Sequence, residues 1–97
     1  MKVNKLIELV KQYDDLKVKI DSDNDSLDVL HHVPHMTNDD GTPFYEYIGW
    51  VFLKTQNVAY IGVKYSKYTP IYRAILEFSL TSIDKRGLKD VDLSEFI

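Results

Sequence analysis

Ten of the twelve aromatic side chains in this chain fall between residues 44 and 78, together with its only tryptophan, Trp50. That stretch holds just two acids, Glu46 and Glu77, whereas the other acids are densest in residues 14–40. Aromatic and β-branched side chains suit a pleated, half-buried surface. The middle of the chain therefore has to supply a hydrophobic, strand-forming body, and the first part carries the negative charge. This distribution constrains architecture rather than chemistry.

Ninety-seven residues leave room for one core, so a single domain over residues 1–97 is expected. A chain of this size buries roughly 60–65% of its unfolded surface, enough to fold alone without much margin. Hydrophobic content of 44% and charged content of 28% are ordinary globular values and exclude wholesale disorder. Cysteine is absent, which favours a reducing compartment. No apolar run reaches the length of a membrane span, and Lys5, Glu8 and Lys11 interrupt any signal-type segment. A cytoplasmic protein with no membrane contact is expected. The net charge of −3 divides unevenly: residues 1–43 balance at −4, residues 44–83 at +2 and the tail at −1. None of these steers a partner by long-range field alone, so charge does not predict wholesale binding to nucleic acid or anionic membrane.

Val3, Leu6, Ile7, Val10 and Tyr13 fall at helical spacing, with Lys5, Glu8, Lys11 and Gln12 opposite, which predicts an amphipathic helix over 3–13 with Asn4 as its cap. Asp14 and Asp15 stop it. Leu16, Val18 and Ile20 then alternate with Lys17 and Lys19 as a half-buried strand, and residues 21–26 are turn chemistry. A second strand is expected over 27–33, with Leu27, Val29, His31 and Val33 on one face. Residues 34–43 read as irregular, with a turn at Asn38-Asp39-Asp40-Gly41. Strands follow at 44–53 and 58–65, joined by a hairpin loop over 54–57. Gly49 and Gly62 mark bulges or close packing against the helix.

Residues 71–83 satisfy two periods at once. As a strand, Tyr72, Ala74, Leu76, Phe78 and Leu80 make an apolar face at period two. As a helix, Thr69-Pro70 would be N-cap and N1, Arg73, Glu77, Thr81 and Asp84 the polar stripe, and Gly87 the C′ residue. The strand is favoured, because the helix would bury all but a narrow polar stripe. A short turn is expected over 92–96. The fold class is therefore α+β: an N-terminal amphipathic helix packed on an antiparallel sheet of four to five strands, with a second helix over residues 70–85 as the alternative.

Little in the chain reads as catalytic. There is no nucleophile elbow and no phosphate-cradling glycine loop, so no enzyme, catalytic residue or cofactor is expected. His31, His32 and His35 cluster as zinc or nickel ligands do, near Asp28 and Asp39. Pro34 opposes a helix that would align His31 with His35, and adjacent residues of a strand point to opposite faces, so the expected reading is a polar strand end without metal. Asp21-Ser22-Asp23-Asn24-Asp25 places alternate carboxylates as a calcium loop begins, but Ser26 stands where that loop needs glycine and His32 where it needs a bidentate glutamate. A solvated acidic turn is expected there. Lys64, Tyr65, Lys67, Tyr68, Tyr72 and Arg73 interleave cations with rings, a pattern that can hold phosphates while bases stack. The plainer reading makes these tyrosines strand formers that cover the core.

The opening, Met1 to Tyr13 followed by Leu16-Lys17-Val18-Lys19-Ile20, resembles the helix-then-strand start of many small accessory proteins from Gram-positive bacteriophages and prophages. The Lys85-Arg86-Gly87-Leu88-Lys89-Asp90-Val91-Asp92-Leu93-Ser94-Glu95-Phe96 ending has a similar character. Together these cover about a third of the chain. The resemblance implies proteins that act by binding a host or phage macromolecule rather than by catalysis.

The leading expectation is thus a non-enzymatic protein–protein interaction module. One helix covers only one face of a sheet, so the second face would expose parts of Tyr45, Tyr47, Trp50, Tyr60 and Tyr72. The alternative is a single-stranded nucleic-acid binder using Lys64, Tyr65, Lys67, Tyr68, Tyr72 and Arg73 on one open face; with Trp50 these are the candidate binding residues. A homodimer is also expected, through an edge strand at 71–80 with Ile75 outward.

Overall fold

The computed structural model describes residues 1–97. Val3, Leu6, Ile7 and Val10 are all buried on one side of the first helix, α1 (Val3–Lys11). Asn4 lies inside this helix and does not cap it; the Val3 N–H donates instead to the Arg86 carbonyl at 2.7 Å. Four strands follow as an antiparallel meander in chain order: β1 (Leu16–Asp21), β2 (Ser26–Thr37), β3 (Pro43–Phe52) and β4 (Ala59–Ile61). A second helix, α2 (Thr69–Leu80), enters from a short turn at Ser66–Tyr68. The tail makes three further single turns, the last at Leu93–Phe96 with Asp92 accepting from the Ser94 N–H. No helix is long and apolar enough to cross a membrane.

The favoured reading of 71–83 as a strand is overturned. Pro70 stands in the first turn of α2, where its missing N–H leaves nothing unpaired. The helix buries Ile71, Tyr72, Ala74, Ile75 and Phe78, while Leu76 and Leu80 remain 48% and 65% exposed. The objection that a helix must hide nearly all its circumference fails because it does not hide it. The deciding requirement is coverage. At 1.5 Å per residue α1 is only about 14 Å long, too short to roof a four-stranded sheet, and α2 supplies the rest of the layer. It also ends at Leu80, so Gly87 is not its C′ residue. The edge expected to pair two copies is therefore a packed helix, and Ile75, expected outward, is fully buried.

Two other boundaries differ from expectation. β2 runs on through Pro34 to Thr37, with its register to β3 broken between His32 and Thr37 and His35 at a φ of 70°. Proline is tolerated where the ladder is already interrupted. β4 is only three residues long, because the chain turns at Val63 and Lys64 and re-enters toward α2.

Both helices lie on one face of the sheet. Leu16, Ile20, Leu27, Val29, Ile48 and Val51 meet α1 and α2 there. Val29 pairs with Gly49 but Leu30 with Tyr47, so Ile48 is an extra residue on β3. This bulge switches the strand's parity: Tyr45 and Tyr47 share a face with Trp50 and Phe52, although Tyr47 and Trp50 are three positions apart and would point to opposite faces of an unbroken strand. Beside it, Gly49 lets α2 come close. A Cβ there would stand 2.6 Å from Ile75 Cδ1 and 3.0 Å from the Tyr60 carbonyl oxygen. Gly49→Ala is expected to lose roughly 1–3 kcal/mol by overpacking, read by urea unfolding. Adding Ile75→Val, which removes the clashing methyl, should restore part of that loss; equal stability of Gly49→Ala and wild type would contradict the close approach.

Candidate functional site

Pairing across the sheet sets three rows on the face that no helix covers. Lys17, Leu30 and Tyr47 form one row, Lys19, Asp28, Trp50 and Tyr60 the next, and Asp21, Ser26 and Phe52 the third. Tyr45 continues the face opposite His32, their rings 5.4 Å apart. Trp50 stacks on Tyr60 at 6.0 Å and leans on Phe52 at 5.1 Å. Tyr47 and Tyr60 are 58% and 44% exposed. The Lys17 ammonium sits 3.9 Å from the centre of the Tyr45 ring, a cation–π contact.

A hollow of about 320 Å³ opens in this face, with Tyr47, Trp50 and Phe52 on one side and Asp21, Asn24, Ser26 and Asp28 on the other. Asp21 is organised by the β1–β2 turn. Its carboxylate accepts from the Asp23 N–H at 3.0 Å and from Asn24 Nδ2 at 2.8 Å, and the Asn24 side-chain bond leads in holding it below the ordinary aspartate range. Asp28 is different. It is only 5% exposed and receives one side-chain hydrogen bond, from Ser26 Oγ at 2.9 Å. Burial pushes its carboxyl up, and nearby Asp21 adds to the rise.

A folded-state pKa above the unfolded one means that the native state favours the protonated acid. That contribution is present below the unfolded value, near pH 4, and is lost as pH rises through the folded value. At neutral pH the ionised Asp28 therefore destabilises the fold. Asp28→Asn, which can still accept from Ser26, is expected to raise the thermal midpoint at pH 7 by a few degrees, with the gain shrinking toward pH 4. A loss of stability at pH 7 would contradict this account.

The candidate binding residues are dispersed. Trp50 is on the uncovered face. Lys64, Tyr65, Lys67 and Tyr68 gather on the helix side of the sheet around His31, and Tyr68 is fully buried. Tyr72 is buried in α2, its hydroxyl accepting from the Tyr65 N–H at 3.4 Å, so it does not join the exposed aromatics; Arg73 is exposed on α2. Lys64 pairs with Glu46 at 3.4 Å and Lys67 with Asp15 at 2.9 Å. These six residues do not share one open face, and two of their three cationic groups already have carboxylate partners.

The three histidines also separate. His31 is buried, its Nδ1 3.1 Å from Glu46 Oε1 and its Nε2 3.6 Å from Asp15 Oδ2. His32 lies against Tyr45, and His35 is exposed beyond it. No cavity opens onto His31, so this node joins sheet to helix rather than presenting a site.

Sequence reading anticipated Tyr45, Tyr47, Trp50 and Tyr60 on an uncovered face but missed Phe52, Asp21 and Asp28. The available signal was Asp28 at opposite parity to Leu27 and Val29. Comparison of the chain with protein-family models, curated proteins and solved structures returns no match.

Proposed function

We propose that this chain is a non-catalytic module that binds a protein partner through the uncovered face of its sheet, in keeping with a phage or mobile-element accessory role. The observation that carries this reading is an aromatic surface, Tyr45, Tyr47, Trp50, Phe52 and Tyr60, on a sheet roofed on one side only. Exposed rings of this kind are enriched at protein interfaces, where they contribute large contact area at small conformational cost. Single-stranded nucleic acid is the weaker reading. A phosphate backbone needs unpaired cations, whereas Lys64 and Lys67 are answered by carboxylates and Asp28 occupies the middle of the uncovered face.

The test is retention of a partner from the native host by wild type and by Tyr47→Ser/Tyr60→Ser, a pair of exposed sites whose loss should leave the fold intact. A partner held by wild type and lost by the double variant supports the reading. Retention unchanged by the substitutions overturns it, as would salt-sensitive binding of a labelled oligonucleotide in place of a protein.

A further inference from the structure

The chemistry of the hollow narrows what the partner presents. Three rings, Tyr47, Trp50 and Phe52, face two carboxylates across a space that a side chain can enter. Ring faces attract cations through their quadrupole, and a carboxylate beside them adds an opposite charge. Neither Asp21 nor Asp28 forms an ion pair with any cation of this chain within 4 Å. Lys19, directly opposite Asp28 in the register, stands beyond ion-pair distance, although its charge reaches both carboxylates. Ser26 occupies one Asp28 oxygen, and the other has no hydrogen-bond partner within the chain. The neighbouring Lys17–Tyr45 contact places an ammonium on a ring of this same face.

We propose that this hollow holds a basic side chain of the protein partner, an ammonium or guanidinium seated against Trp50 and Tyr47 with Asp28 as its counter-charge. The inference rests on the uncovered sheet face being the protein-binding surface and adds the chemistry it selects. It also gives a role to a carboxylate that is buried on this face without a cation partner in the chain, since groups that cost stability often serve binding.

Trp50 is the only tryptophan, so its fluorescence reports the hollow directly. N-acetyl-lysine methylamide and N-acetyl-arginine methylamide are titrated separately, against the neutral norleucine and citrulline analogues and against inorganic phosphate. A saturable response to at least one cation is expected, about fivefold or more tighter than its neutral analogue. Asp28→Asn, checked for folding by circular dichroism, should abolish that preference, whereas Lys19→Ala should preserve or strengthen it. No saturable response to either cation, equal response to the neutral analogues, preference for phosphate, or an unchanged preference in Asp28→Asn overturns the proposal. Partner retention separates the two readings. If Tyr47→Ser/Tyr60→Ser loses the partner but Asp28→Asn keeps it at full affinity, the face binds protein without a basic anchor; if neither variant loses it, both readings fail.

Discussion

Replacing Arg86 by methionine is expected to remove roughly 3–5 kcal/mol of folding stability, a large share of the roughly 5–15 kcal/mol typical of a domain this size. The side chain is fully buried and has no carboxylate partner. A guanidinium carries five N–H donors, and here five carbonyls receive them. Nε donates to Thr81 at 2.9 Å, Nη1 to Phe52 and Leu53 at 2.7 and 2.8 Å, and Nη2 to Ser79 and Thr55 at 3.1 and 3.4 Å. The group also lies 4.6 Å from the centre of the Phe78 ring. One side chain thus ties the end of β3, the loop after it and the C-terminus of α2, where a positive charge complements the helix dipole. Burial lowers its pKa, but an arginine starts so high that it stays charged. Methionine keeps an unbranched stem but leaves the buried carbonyls without donors; lysine, with three donors and no plane, is expected to rescue little. Urea unfolding followed by Trp50 fluorescence should show a lower midpoint at unchanged slope, while Lys85→Met next to it stays within about 0.5 kcal/mol. A loss below about 1 kcal/mol for Arg86→Met would remove Arg86 from this role.

Arg86 also shows where reading the sequence stops. Its partners are backbone carbonyls, which every residue possesses, so nothing in the residue types announces them. The first two strands were legible because Leu16, Val18 and Ile20, and then Leu27 and Val29, alternate against polar residues. The stretch that became α2 was not, since its apolar positions satisfy both periods; the choice is made by a sheet that α1 alone cannot roof. The uncovered face was partly legible. A one-sided roof calls for exposed rings, but Trp50 and Phe52 join Tyr45 and Tyr47 only through the parity switch at Ile48, whose local mark is Gly49. The basic-aromatic run at 64–73 misled for a related reason. Its lysines meet their counter-charges Glu46 and Asp15 at separations of 18 and 52 residues, invisible to a reading of neighbours.

The second large effect is expected at His31, where His31→Leu should cost roughly 2–4 kcal/mol at pH 7. The imidazole packs against the rings of Tyr65 and Tyr68, at 4.9 and 5.6 Å, with a carboxylate at each ring nitrogen. Glu46 also accepts from the Tyr65 hydroxyl at 2.6 Å, and Asp15 from the Tyr68 hydroxyl and from Lys67. The Tyr65 bond leads in holding the Glu46 carboxyl below its ordinary value. Burial pushes Asp15 up, but the bonds from Tyr68 and Lys67 outweigh it and leave that carboxyl low as well. Stability from depressed carboxyls is present above their unfolded values, near pH 4, and is lost as pH falls through the folded ones. Tyr68 sets the opposite limit. Burial, then its bond to Asp15, pushes its hydroxyl up to about 12, so its share is present below the ordinary value of 10 and lost as pH rises through about 12. Leucine at 31 would leave two partly desolvated carboxylates facing an apolar side chain, and adding Asp15→Asn and Glu46→Gln should recover part of the loss. Chemical denaturation between pH 3 and 7 checks both statements: the Asp15→Asn/Glu46→Gln protein should show a flatter acid limb than wild type. Equal acid limbs in these two proteins, or a His31→Leu variant as stable as wild type at pH 7, would show that the node contributes nothing to the fold.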